Sequence, residues 1–531
     1  MLRIADRSER QLTMSFLKTS AIVGSLTIAS RLLGFVRDLL VAFLLGTDFV
    51  AEAFFVAQRL PNLFRALFAE GAFNNAFVPQ FSGRLEGEGR GKAFRFAHDI
   101  YSFFGASLLA FCASAIFAMP WLIHVIAPGF SHSTPTLQLA IELTRICFPY
   151  LFFISLVALL SGVLNSLGHF AAPAFAPVLM NVVIIAFCVV AWQSGLGATP
   201  DTARLLSYSV TLSGLLQWLL LAALAGMAGF KILPALPRLT PDVRAMVLTA
   251  VPGIISGGIS QINLTVATAL ASGMAGGVAF LYYAERLFEF PLGVIGVTIG
   301  VVLLPAISRK LRANEHAGVQ DYLNRGLELS MLLTLPATAA LILLSRPILH
   351  TVFEHGAFGP TDTSNVAPAL AAFATSLPAF TVSKVLQPLF YARHDMKTPM
   401  YFAIVSAVVN ITASFILAHF LMHTGIALAT SLAAWINALL LLFTSLRRSH
   451  FVLDPKLGRQ LPRMAISTVI MTGVMWWLMD FIFHGAFLAN SGNGQSVMAL
   501  AVLLLCGTTT YFLSAVLTKA VRLSDLLSAT G

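Results

Sequence analysis

The sequence predicts an all-α integral membrane protein of fourteen transmembrane helices, built as two pseudo-symmetric six-helix lobes (a parallel repeat) followed by two extra C-terminal helices. Three observations carry this expectation. The 531-residue chain is 57% hydrophobic and only 11% charged, with a mean hydropathy of +0.84, whereas soluble domains carry about 25% charged residues. Apolar runs long enough to cross a bilayer, about 20 residues each, recur along its whole length. The basic residues between those runs fall almost entirely on one side.

The runs lie near 16–45, 50–81, 96–119, 138–165, 173–193, 205–228, 245–272, 279–306, 323–345, 366–391, 399–420, 425–445, 462–483 and 497–518. The second and eighth are the least hydrophobic. With the N-terminus inside, the even-numbered loops and both ends hold 24 Lys and Arg, against only Arg204 and Arg346 outside. That asymmetry sets orientation and places both termini in the cytoplasm. It also accounts for the net charge of +10 without nucleic acid. Residues 1–15 form a polar cytoplasmic segment with a second candidate start at Met14; no small-x-small cleavage context follows, so the first run reads as an uncleaved span.

Internal repeats organise the spans. "FVAQRL" (55–60) matches "YYAERL" (282–287) at an offset of 227, and "FVPQFSGRL" (77–85) matches "LLPAISRKL" (303–311) at 226. "LGHFAAP" (167–173) resembles "ARHDMKTP" (392–399). Such an offset covers six spans, so the halves share one topology about an axis along the membrane normal. The expected organisation is a first lobe over 16–228, a cytoplasmic linker over 229–244 and a second lobe over 245–445. A cytoplasmic loop (446–461), two extra helices (462–518) and a cytoplasmic tail (519–531) follow. Transporters of this kind bind substrate between the lobes, near the midplane.

Charges inside the spans mark the candidate site. With a charge in a span's first or last turn counted with the adjoining loop, and Asp99, Glu328 and Asp480 set aside as close enough to span ends to reach water, seven are basic (Arg31, Arg37, Arg59, Arg65, Arg145, Arg286, Lys384) and six acidic (Asp38, Glu52, Glu70, Glu142, Glu285, Glu289). Each costs roughly 2.5–3.5 kcal/mol at a helix centre, so all of them facing lipid would cost on the order of 40 kcal/mol. They must face one another or a wet cavity. Arg31 and Asp38 share a helix face, with Arg37 about a third of a turn away. Glu52 and Arg59 are likewise seven apart, Pro61 interrupts the same run, and Arg65 follows that break. Arg286 is spaced to pair with Glu289, and Glu142 with Arg145 as a structural ion pair. Arg31, Arg37 and Arg65 exceed what Asp38 and Glu52 neutralise, and a guanidinium fork suits phosphate or carboxylate. Lys384 is a candidate cavity residue.

Other chemistries lack their signatures. There is no Walker A loop, zinc-type His cluster or defensible Ser-His-Asp spacing, so no catalytic residue, metal or cofactor is expected. The four cysteines (Cys112, Cys147, Cys188, Cys506) lie in apolar runs and read as buried hydrophobes. ATP-driven transport by this chain alone is not expected. Membrane potential, worth about 2.3 kcal/mol per charge per 100 mV, or a monovalent ion is the candidate energy source.

The stretches "SRLLGFVRDLLVAFLLG", "AEAFFVAQRLPNLFRALFAEGAFNNAFVPQF", "APGF", "FPY", "PAFAPVLMN" and "YYAERLFEFPLGVIGVTIGVVLLP" closely resemble the MurJ (MviN) family of bacterial lipid II flippases. That family belongs to the multidrug/oligosaccharidyl-lipid/polysaccharide exporter superfamily. The resemblance runs from about Ser15 to about Leu517. It implies two lobes in a V around a cationic cavity, and transport of undecaprenyl-pyrophosphate-linked disaccharide-pentapeptide to the periplasmic leaflet for peptidoglycan synthesis. It implies head-group binding at Arg31, Arg37, Arg65 and Arg286, with Asp38, Glu52, Arg59, Glu70, Glu285 and Glu289 as gating or charge-pair residues. Glu52 and Glu285 depart mildly, since the family often has Asp there. The last two helices are expected to form a groove for the lipid tail, in a monomer in the bacterial inner membrane, with the peptidoglycan synthesis and division machinery as candidate partners. The rivals are another exporter of the superfamily (an O-antigen or polysaccharide lipid flippase, or a cation-coupled drug antiporter), a non-transporting scaffold for cell-wall enzymes, and a membrane enzyme acting on lipid-linked pyrophosphate. An antiporter of cations needs acids in excess, yet five basic residues face four acidic ones in the first lobe.

Overall fold

The computed structural model describes residues 2–68, 72–232, 236–483 and 493–521. Glu70, residues 484–492 of the last helical pair and the tail from 522 lie outside the described residues. Among the described residues, regular secondary structure is helical throughout. The chain divides into two compact units, Met1–Ala275 and Gly276–Gly531.

The first unit comprises α1 (Leu2–Leu45), α2 (Phe49–Phe68), α3 (Ala72–Gly87), α4 (Arg90–Phe117), α5 (Met119–Ile126), α6 (Thr134–Cys147), α7 (Pro149–Ser166), α8 (Ala171–Gln193), α9 (Pro200–Met227) and α10 (Pro241–Ala271). Local chemistry sets the ends. Gly46 takes φ 60° just past α1, the left-handed conformation that stops a helix without a Cβ penalty. Thr199 and Thr240 cap α9 and α10, each followed by a proline at the first helical position. α1 lies along α8, α9 packs on α7 and α8, and α2 packs on α6. Phe77 stacks on Phe81 at 5.5 Å and on Phe96 at 5.9 Å. Gly162 admits that aromatic stack, because a Cβ there would stand 3.1 Å from Phe77.

Two features differ from the sequence reading. α2 runs unbroken through Pro61 to Phe68; the single hydrogen bond proline removes does not break a helix packed along α6. α10, which the repeat assigns to the second lobe, packs on α2 and α3 within the first unit. Packing and repeat therefore divide the chain at different points.

The second unit comprises α11 (Gly277–Arg312), α12 (His316–Leu343), α13 (Ser345–Val352), α14 (Pro360–Ala374), α15 (Leu377–Tyr391), α16 (Lys397–Arg447), α17 (Pro455–Trp477) and α18 (Asn493–Leu517). α11 packs on α12, α14 and α15, and α17 pairs with α18. Tyr283 anchors the interior between Phe353 and Phe358, at 5.5 and 5.4 Å. At 51 residues and 1.5 Å per residue, α16 exceeds twice the roughly 30 Å of hydrocarbon. It breaks at Met422 (φ 51°, ψ −135°). Gly425 makes the turn possible, since a Cβ there would fall 2.2 Å from the Leu417 carbonyl oxygen.

Nine helical stretches among the described residues are long and apolar enough to cross a membrane, so the chain is a multi-pass membrane protein. α1, α2 and α11 are not among them. These are the helices that carry most of the in-span charge.

Candidate functional site

In the first unit the charged side chains of α1 are organised from α8. Arg37 Nη2 donates to Asp38 Oδ1 at 2.8 Å and its Nε to the same oxygen at 3.0 Å. Arg37 Nη1 donates to Asn181 Oδ1 at 3.0 Å. Asn181 in turn donates from Nδ2 to the Ser30 carbonyl at 2.9 Å. Asp38 and Asn181 are both buried, so the guanidinium is clamped from its own helix and from the neighbouring one. Charge-assisted bonds of this kind are about twice as strong as neutral ones. Asn181 is the residue sequence reasoning missed. Its signal was an amide in the middle of an apolar span, which local pattern alone does not connect to Arg37.

Arg31 sits six residues earlier on α1, exposed, with no ion pair among the described residues. It borders a cavity of about 440 Å³ together with Thr27, Ser30, Asn165 and Pro177. Phe170 lines both this space and a larger apolar one of about 750 Å³ bordered by α1, the end of α7, α8 and α9. Arg31 thus combines a full charge, neighbouring hydroxyls and open volume, which is what an anion requires.

α2 adds Glu52, buried, and the half-buried Arg59 and Arg65. Arg65 Nε donates to Asn62 Oδ1 at 3.3 Å. Arg59 borders a small void of about 10 Å³ walled by Ile126, Leu264 and Thr268. The expected Glu142–Arg145 pair does not form. Glu142 instead takes a fork from Arg204 at 2.7 and 3.0 Å, while Arg145 Nε donates to the Ile116 carbonyl at 3.2 Å. The two-pronged geometry across helices outcompetes a single i, i+3 contact.

In the second unit Arg286 pairs with Glu289 at 2.9 Å, the spacing the sequence allows, and its guanidinium lies 4.8 Å from the centre of the Tyr282 ring. Glu285 and Lys384 are half-buried. Among the described residues, no cluster of three or more His, Cys, Asp or Glu is arranged to hold a metal.

Comparison with known proteins places this arrangement. A family model described as "Lipid II flippase MurJ" matches residues 41–493. A probable lipid II flippase MurJ from Rhizobium tropici is 41% identical over 510 residues, covering 95% of this chain and 94% of the relative. The lipid II flippase MurJ of Burkholderia cenocepacia is 32% identical over 474 residues, covering 87% of this chain and 90% of its own. Among solved structures, a lipid II flippase MurJ in an inward closed conformation superposes with a TM-score of 0.79 at 25% identity, over 96% of this chain and all of that one. An inward-facing multidrug transporter of the MATE family and MOP superfamily superposes at 0.67, covering 81% of this chain and 98% of its own; at 14% identity it shows the shared fold. The chain belongs to the MurJ family of lipid II flippases.

Proposed function

We propose that this protein flips lipid II from the cytoplasmic to the periplasmic leaflet of the bacterial inner membrane by alternating access, supplying peptidoglycan synthesis. Fourteen spans in two lobes plus two helices for the lipid tail, with both termini cytoplasmic, are the architecture this reading uses. It needs no catalytic residue or cofactor, works as a monomer and draws on the membrane potential or a monovalent ion. Its protein partners are those of the peptidoglycan synthesis and division machinery.

The observation that carries the reading is the pair of arginines on α1: Arg37 held rigidly by Asp38 and Asn181, and Arg31 open to a cavity one to two turns away. A pyrophosphate carries about two negative charges and cannot cross hydrocarbon unpaired. Arg31, Arg37, Arg65 and Arg286 offer it charge-assisted hydrogen bonds. Asp38, Glu52, Arg59, Glu70, Glu285 and Glu289 hold those arginines or close the path, and Lys384 adds a cavity charge. The test is complementation of a flippase-depleted strain, with lipid II exposure on the outer leaflet measured directly. Wild type should restore exposure, and Arg31→Ala, Arg37→Ala and Arg65→Ala at matched membrane levels should lose it at least tenfold. Full exposure with the alanine variants overturns the assignment of these arginines. No exposure with wild type overturns the function.

A further inference from the structure

A second cationic feature lies in the second unit, on loops that carry none of the residues assigned to transport. Arg393 follows α15, and His450 follows α16. The Phe390 carbonyl accepts from the backbone of both Arg393 and Asp395, each at 3.0 Å. The buried Phe390 ring lies 6.4 Å from the His450 imidazole, centre to centre, so one residue meets the Arg393 backbone through its carbonyl and His450 through its ring. His450 is fixed from behind as well, its carbonyl accepting from Gln320 Nε2 at 2.8 Å.

Charge is unbalanced here. Asp395 is the carboxylate of this cluster; its Oδ2 accepts from Arg448 at 2.8 Å and from the Thr398 hydroxyl at 2.7 Å, and its Oδ1 from the Thr398 backbone N–H at 3.0 Å. Arg393 has no ion pair or side-chain hydrogen bond among the described residues, and its Nε is buried without a partner. Nδ1 of His450 is buried and unpartnered too. Burial pulls the Arg393 guanidinium below its ordinary range. Burial, then the charges of Arg393 and Arg448, pull the His450 imidazole down as well. An unpaired guanidinium with a buried orphaned N–H, near an orphaned imidazole nitrogen and the second guanidinium of Arg448, calls for an anion, because buried polar groups in native proteins are almost always satisfied.

The surroundings identify which anion. Met396 and Tyr401 at the start of α16 are 62% and 58% exposed, and Phe443 near its end is 63% exposed. A charged pocket edged by exposed apolar side chains, on loops whose basic residues read as cytoplasmic, matches a lipid at the membrane interface. We propose that Arg393, with Arg448 and His450, binds the phosphate of an anionic phospholipid of the cytoplasmic leaflet, whose acyl chains lie along the exposed ends of α16. This site is independent of the substrate arginines.

The test uses the full-length protein, stripped of lipid in neutral detergent and titrated with phosphatidylglycerol or phosphatidylcholine, with bound lipid counted by native mass spectrometry. Wild type should bind phosphatidylglycerol at least fivefold more tightly than phosphatidylcholine. Arg393→Gln should erase that preference, Arg393→Lys should keep part of it, and Arg447→Gln, at an exposed neighbouring position, should stay within twofold of wild type. A thermal midpoint in phosphatidylcholine confirms that each variant is folded. Retention of the preference by Arg393→Gln, or equal loss with Arg447→Gln, overturns the site in favour of diffuse surface attraction. Displacement of phosphatidylglycerol by millimolar inorganic phosphate overturns the lipid assignment, because a soluble anion then suffices.

Discussion

Asn181→Leu separates the two roles the clamp on Arg37 could have. The amide is buried, accepts from Arg37 at 3.0 Å, and donates to the Ser30 carbonyl at 2.9 Å and more weakly to the Ser30 hydroxyl at 3.4 Å. Leucine has nearly the same volume, so the cavity contribution is small and the loss is that of the bonds. A hydrogen bond to a charged group is worth about 1.5–3 kcal/mol and a neutral one about 1 kcal/mol. Arg37 keeps its pair with Asp38, so the charge stays while its aim is lost. If aim is what the head group needs, about 1.5–3 kcal/mol becomes roughly a tenfold to 150-fold fall in capture, at 1.4 kcal/mol per decade. Lipid II exposure should be scored per folded protein, beside the thermal midpoint of the same preparation. Exposure at the wild-type rate, or a fall fully explained by lost folded protein, would refute the positioning role and leave Asn181 as a helix pin.

Three further outcomes follow from the geometry. Gly425→Ala sets a Cβ 2.2 Å from the Leu417 carbonyl oxygen, a backbone atom that cannot swing aside. It should cost on the order of 3 kcal/mol, read as a drop in thermal midpoint and in folded yield. Glu354→Gln weakens a half-buried pair with His350 at 3.1 Å and the bond from the Thr363 hydroxyl, so α13 and α14 loosen. The cost should be about 1–3 kcal/mol in stability, with transport per folded molecule unchanged. His450 makes stability depend on pH. Its folded-state value lies below the ordinary 6.5, so the unfolded chain binds more protons between the two values. Stability is then complete above pH 6.5 and falls as pH drops below it. Asp395 shifts in the same direction but below the ordinary 3.8, outside that window. Thermal midpoints between pH 8 and 5 should show the decline in wild type and a flatter slope in His450→Gln; parallel slopes would reject the assignment.

How far the sequence reached depends on which interactions are local. Composition and loop charge made a multi-pass membrane protein legible, since hydrocarbon imposes length and apolarity on each run separately. Charges inside runs made it equally legible that α1, α2 and α11 had to turn toward polar surroundings. Partner identity was a different matter. The i, i+3 rule paired Arg286 with Glu289, which stand 2.9 Å apart, but it failed for Glu142, which a fork from Arg204 claims across helices. Pro61 was read as a break because its missing N–H is a local fact, while the packing of α2 on α6 that keeps the helix whole is not. Asn181 lies 144 residues from Arg37 in a span that reads as plain hydrocarbon-crossing helix. The charge inside the span announced only that some polar group or wet cavity had to face Arg37. Which group does so is decided by the sliding register of α8 against α1, a quantity that no periodicity within either helix encodes.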